Sequence, residues 1–183
     1  MNENLSKKIT EIELKLNWTK RSFENIKANR NNQTIIQDNF WSFLSGFQQG
    51  WYYFGKFIED EFSSWSKNKR ELLKNDLINK FKTEYLTTEE LEAWDLLQKM
   101  RNFDIHNEPV SANYEIKKYA ITTNSGIPIA DNSGRIIVTS SNIVYVLFND
   151  KKFEVSEICK NGIISIEKLI CFLKEFDIEN LYK

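Results

Sequence analysis

A chain of 183 residues and 21.7 kDa is long enough to bury a core without staples, and its length predicts one domain, or one domain with an appendage. Its 25 Lys and Arg stand against 26 Asp and Glu, a formal net charge of -1, with 41% hydrophobic and 28% charged residues. That balance excludes a histone-like polycation and a long acidic tail and fits an ordinary globular chain, while leaving room for a local basic site.

The first helix is expected over about 4–29. Leu5, Ile9, Ile12, Leu16, Phe23 and Ile26 recur at alternating spacings of three and four, with Thr19 filling the gap, which makes one apolar stripe. The turn formers of 29–32 break it. A second helix opens at Thr34, where Gln37 completes a capping-box pattern, and runs to about Trp65. Phe40, Phe43, Leu44, Phe47, Trp51, Phe54, Ile58 and Phe62 give it a wide apolar band, the mark of a central helix. Ser42, Gly46 and Gly50 form a small-residue row. Since glycine costs about 1 kcal/mol inside a helix, another helix should approach closely there, from the same chain or from a second copy.

A third helix covers about 68–84, with Leu72, Leu73, Leu77 and Phe81 inward. Thr87 and Glu90 announce a fourth by a second capping box. Its buried row is Leu91, Trp94, Leu97 and Met100, and it should end before Pro109. Composition shifts near residue 108. All five tryptophans lie at or before Trp94, and no proline precedes Pro109. Beyond it, strands are expected over 114–122, 135–139 and 142–148. Asn149-Asp150 then turns the last of these into a strand over 152–155. Gly162 should stop a short element, and Ile166, Leu169, Ile170, Leu173 and Phe176 mark a closing helix. The expected class is α+β: a helical bundle over 1–110, then a smaller strand-and-helix part over 111–183.

Two cysteines, Cys159 and Cys171, cannot build a disulfide framework and read as reduced, packed thiols of a cytoplasmic protein. A chain with one histidine offers too few ligands for a metal site, and no cofactor motif is visible. The opening residues lack the apolar core of a signal peptide. The most membrane-like stretch, 40–58, is interrupted by Gln48, Gln49 and Lys56 and falls short of the roughly 18 unbroken apolar residues of a span.

The chemistry concentrates at the end of the fourth helix. Arg101 lies four positions after Leu97 and seven after Trp94, so it continues a buried row, where a charge must find a partner. The sole histidine, His106, comes five positions later. Asn102, four before it, is within helical reach to fix the imidazole's tautomer. An imidazole near neutrality can remove the proton of a ribose 2′-hydroxyl or protonate a leaving oxygen, and a guanidinium can bind two phosphate oxygens and stabilise developing charge. Together they suit metal-free cleavage of RNA. On an ideal helix, however, Arg101 and His106 stand about 140° and about 7.5 Å of rise apart. Either the helix loosens before Pro109, or the site combines groups from two chains.

The run Arg101-Asn102-Phe103-Asp104-Ile105-His106 resembles the signature of the HEPN superfamily, an arginine and a histidine four to six residues apart with a polar residue, often asparagine, after the arginine. The order of helices with the motif late in the bundle is similar too, over about residues 1–110. The resemblance implies an up-down bundle that forms a homodimer, joining two copies of the motif in one cleft. It implies a metal-independent endoribonuclease acting on single-stranded RNA, of the kind found in toxin–antitoxin and anti-phage systems, with an antitoxin or regulatory protein as a further partner. Arg101 would polarise the phosphate, His106 would serve as acid and base, and Asn102 would support them. Lys67, Lys69, Arg70 and Lys74 form a basic cluster that could guide RNA phosphates into the cleft. The competing reading is a non-catalytic module that dimerises or binds a partner or nucleotide.

Overall fold

The computed structural model describes residues 3–106, 110–133 and 135–175, with the side chains of 103–106 outside that description. Five helices and a small sheet run in the order α1 (Glu3–Ala28), α2 (Gln33–Glu61), α3 (Lys67–Tyr85), α4 (Thr88–His106), β1 (Ala112–Ala120), β2 (Val138–Phe148), β3 (Lys151–Glu154) and α5 (Val155–Glu175). The fold is α+β, mostly helical, with an antiparallel sheet of order β1-β2-β3.

The stripe of α1 is buried as its spacing requires: Leu5, Ile9, Ile12, Leu16, Thr19, Phe23 and Ile26 all face inward. The band of α2 is buried too, with Trp51 half-covered, and α2 is touched by α1, α3, α4, α5 and β1. The start of α2 differs from the expected one. Its N-cap is Asn32, whose side chain accepts from Ile35 N–H at 3.2 Å. Asparagine is among the best N-caps, so Thr34 and Gln37 are released from capping. The helix also ends sooner, at Glu61. There the Arg70 guanidinium donates to the carbonyls of Ser63 (3.0 Å) and Trp65 (2.6 Å), closing off the chain that leaves α2.

Gly46 and Gly50 of the small-residue row serve contacts within the chain, whereas Ser42 is exposed. A Cβ at Gly46 would collide with the Thr19 hydroxyl, which is itself held by donating to Lys15 O at 2.9 Å. A Cβ at Gly50 would lie 3.5 Å from Ile166 of α5. Gly162, expected to stop an element, sits in the middle of α5, where a Cβ would strike Leu97 of α4. It is the point of closest approach between two helices rather than a terminator.

Around these contacts an aromatic cluster fills the core. Trp94 is fully buried, with Phe47 at 5.1 Å, Phe81 at 5.5 Å and Trp51 at 6.1 Å, all edge-on, the arrangement aromatic quadrupoles favour. α5 packs on α1, α2, α3 and α4, so the helix from the C-terminal part completes the same core. Of the residues expected inward on α3, Leu77 and Phe81 are buried and Leu73 packs partly, but Leu72 is 64% exposed; α3 is a mostly polar helix covering one flank.

The capping box at α4 is present. Glu90 Oε2 accepts from Thr87 N–H at 2.8 Å while Glu90 N–H donates to Thr87 Oγ1 at 3.4 Å. Glu90 is also buried against α5, where it takes an ion pair from Lys168 at 2.7 Å. Asn149 and Asp150 adopt positive φ (49° and 60°), the conformation that lets a two-residue turn join β2 to β3. β3 stops at Glu154, and Val155 begins α5 rather than ending a strand. The expected strand at 135–139 is reduced to a bridge between Ala130 and Ile136, with β2 starting at Val138. Of the two cysteines, Cys159 is buried, and burial pushes its thiol pKa well up, whereas Cys171 is exposed rather than packed.

This packing sets two stability outcomes. Gly46→Ala should lower stability by about 1 kcal/mol, because overpacking of about 1–3 kcal/mol exceeds the gain in helix propensity. Thr19→Ala in the same chain should restore most of it, read as coupling in a double-mutant thermal unfolding cycle. Glu90→Ala should cost about 1–3 kcal/mol by stranding both the Thr87 amide and Lys168; an unchanged melting temperature would mean the cap and the ion pair contribute nothing.

Candidate functional site

The 110–112 segment anchors the motif end of α4. Val110 and Ala112 are buried, and their backbone is gripped by two glutamines from the start of α2. Gln37 Nε2 donates to Val110 O at 2.9 Å, and Gln37 Oε1 accepts from Ala112 N–H at 2.7 Å. Gln33 Nε2 donates to Ala112 O. Four residues span at most about 14 Å, so His106, four positions before Val110, ends α4 beside the start of α2 and the end of α1. Lys27 in the last turn of α1 and Arg30 in the turn that follows lie at this same end of the bundle, where they line a small recess with Ile143, Val144, Glu154 and Ser156.

Arg101 is half-buried, and its Nε is enclosed by protein. It comes after Trp94, Leu97 and Met100, which are fully buried, so the row of α4 does carry a guanidinium into the margin of the core. Asn102, one step further round the helix, is exposed. The backbone of α4 is helical through His106, whose side chain lies outside the described residues, as do Asp104 and Glu108, the acids that flank it. Because the helix does not loosen before His106, helical geometry keeps Arg101 and His106 about 140° apart around the axis within one chain.

The basic cluster stands elsewhere. Arg70 is committed to the carbonyls after α2, and the Lys69 ammonium lies 3.5 Å from the centre of the Trp65 ring, a cation–π contact. Lys67 and Lys74 line a shallow recess with Gly55, Ile58 and Glu59. Gln37 near the start of α2 and Phe62 at its C-cap, which mark the two sites, are separated by about 37 Å at helical rise. Within one chain the cluster and the motif therefore do not share a cleft. Of the aromatics near the middle of α2, Trp51 stacks into the core on Phe54 and Trp94, and only Tyr52 faces solvent.

A groove of about 560 Å³ lies between α4, β3 and the start of α5, lined by Glu92, Asp95, Lys99, Lys152, Glu154 and Glu157 among others. Its charges are mixed. Among the described residues no group of three or more His, Cys, Asp and Glu side chains gathers as a metal site, and no helix is long and apolar enough to cross a membrane.

The residues sequence reasoning missed are Gln33 and Gln37. Their role depends on backbone groups more than seventy positions away, and the only local signal was that two glutamines come after a loop of turn formers. Comparison of the chain with protein-family models, curated proteins and solved structures gives no match.

Gln37→Ala should release the 110–112 segment. The expected result is faster amide exchange at Ala112 and Val110, with a loss of about 1–3 kcal/mol for the stranded Ala112 N–H. Unchanged protection of Ala112 would show that the glutamine does not hold the strand.

Proposed function

We propose that the protein is a metal-independent endoribonuclease of the HEPN type, working as a homodimer on single-stranded RNA in a toxin or anti-phage defence setting. The observation that carries this reading is Arg101. A half-buried guanidinium on the margin of an aromatic core is costly to place for packing alone, and it stands one residue before Asn102 and five before the chain's sole histidine. Regular helix through His106 favours the two-chain alternative, in which Arg101 of one copy and His106 of the other meet one phosphodiester.

In that arrangement Arg101 holds the non-bridging oxygens of the scissile phosphate. It binds most strongly when they gain charge in the pentacoordinate transition state. His106 of one copy takes the proton from the 2′-hydroxyl, and the oxygen attacks the adjacent phosphorus. The bond to the 5′-oxygen breaks, and an imidazolium protonates the departing alkoxide. The products are a 2′,3′-cyclic phosphate and a 5′-hydroxyl. Asn102 is the positioning residue for the imidazole. Guidance of the strand falls more naturally to Arg30, at the motif's end of the bundle, than to Lys67, Lys69, Arg70 and Lys74 at the other end; Lys27 beside it is paired with Glu24 at 2.6 Å.

Purified protein should cleave single-stranded RNA in the presence of EDTA. His106→Ala and Arg101→Ala should each lower the rate by 10²-fold or more, in the range of about 10²–10⁴ ascribed to acid–base catalysis, with the circular dichroism spectrum unchanged. Arg101→Lys should recover little, because an ammonium lacks the two-pronged geometry. Cleavage that persists in both alanine variants rejects the assignment. A non-catalytic interaction module is the reading that would replace it, and the exposed outer stretch of the β1–β2 hairpin is the feature that favours it.

A further inference from the structure

The hairpin of β1 and β2 runs past the helical body. Ala112, Val144, Val146 and Phe148 are buried at its base, whereas every residue of β1 from Ile116 onward is exposed. Towards the tip three backbone hydrogen bonds close a small ring: Ile121 N–H donates to Ile137 O, Ile137 N–H to Ile129 O, and Ile129 N–H to Ile121 O, at 2.8–2.9 Å. Ile116, Ile121, Ile127, Ile129, Ile136 and Ile137 are all exposed along this arm, Ile116 by 63%. A two-stranded arm is marginal alone in water, and so many exposed isoleucines on it favour a partner.

β1 is also an edge strand, and among the described residues its edge is closed at one end only. Ala112 directs its N–H and C=O away from β2, where Gln37 and Gln33 take them. Backbone direction alternates along an antiparallel strand, so Tyr114, Ile116, Lys118 and Ala120 direct theirs the same way, beyond the reach of those glutamines.

We propose that this free edge of β1 is an interface for a second copy of the chain, in which two β1 strands pair antiparallel about a two-fold axis at Ile116.

Charge sets the register. With Ile116 opposite its own copy, Glu115, which already bonds Lys152 of β3 and lies 3.5 Å from Lys117 of its own strand, also faces Lys117 of the second chain, twice over by symmetry, and Tyr114 faces Lys118, an ammonium against a ring. Shifting the axis to residue 115 opposes two glutamates; shifting it to 117 or 118 opposes two lysines. Shifting it to Tyr114 requires the Ala112 groups already held by α2. Lysines on an edge strand ordinarily discourage pairing, but in this register each of them meets a favourable group. The pairing spans residues 114–118 of each chain, with about six backbone hydrogen bonds. It sets the two Ala112 residues roughly 27 Å apart, so this contact is additional to the helical one that would join two motifs, and each stands without the other.

The test is a cross-link. In a Cys171→Ser background, Ile116→Cys and, separately, Lys118→Cys are oxidised with diamide. Opposed residues of a hydrogen-bonded pair lie about 5.5 Å apart at Cα, within the range of a disulfide, so the Ile116→Cys protein should yield about tenfold more covalent dimer than the Lys118→Cys protein. Ile116→Pro removes an N–H that β1–β2 pairing does not use. It should reduce the particle mass seen by light scattering while leaving RNA cleavage unchanged. Equal cross-linking at both positions, or a wild-type chain that is monomeric at its highest soluble concentration, overturns the proposal; the second result would hand the edge to an extended segment of another protein. Loss of RNA cleavage in the motif variants with the cross-link intact, or the reverse, separates this contact from the nuclease reading.

Discussion

The close approach of helices to α2 sets the position of nearly everything else. α1 lies against it where Gly46 leaves room for the Thr19 hydroxyl, and Gly50 admits Ile166 of α5. Gly162 lets α5 in turn close on Leu97 and Phe47. Each glycine sacrifices about 1 kcal/mol of helix propensity, and the return is dense packing around Trp94, which touches Phe47, Trp51 and Phe81. A methyl group at Gly46 or Gly162 would strike the Thr19 or Leu97 side chain, which a close-packed interior has little room to move, whereas at Gly50 it would sit at ordinary contact distance from Ile166.

That same helix fixes the candidate site from its first turns. Gln37 offers its amide as donor and acceptor to the chain leaving α4, and Gln33 adds a second grip. The segment after the motif is thereby tied to the scaffold, and the sheet begins from a defined point. Arg101 is held on the other side by the buried face of α4. A guanidinium fixed on a rigid helix is pre-organised, and pre-organised charge is what stabilises a transition state without reorganisation at the moment of reaction. Helical backbone through His106 places its Cα about 140° round the axis from that of Arg101, and the proposed two-chain site rests on that separation.

The parts of this fold written in local pattern were legible in the sequence. The stripe of α1, the band of α2, the capping box of Thr87 with Glu90 and the turn at Asn149-Asp150 each depend on spacings of a few residues, and each is where the spacing places it. What was not legible depends on distant partners. Thr34 and Gln37 satisfy a capping pattern, yet Asn32 takes the cap and Gln37 serves a backbone seventy-three positions away. Gly162 reads as a terminator by itself and becomes a contact point only beside Leu97. Arg70 reads as one of a basic cluster that could guide RNA and turns out to bind the carbonyls beyond α2. Local rules describe one element at a time, and these residues act between elements.

The nuclease reading turns on a single atom of the substrate, the 2′-oxygen next to the scissile phosphate. The most direct measurement is cleavage of an RNA oligonucleotide against the same oligonucleotide carrying one 2′-deoxyribose at the mapped cleavage step. Nucleophilic attack from the ribose requires that the deoxy substitution abolish cutting at that step alone, with the all-RNA strand leaving a 2′,3′-cyclic phosphate. Equal cutting of both strands, or a 5′-phosphate product, would mean that water attacks the phosphorus, and the chemistry assigned to Arg101 and His106 would be contradicted.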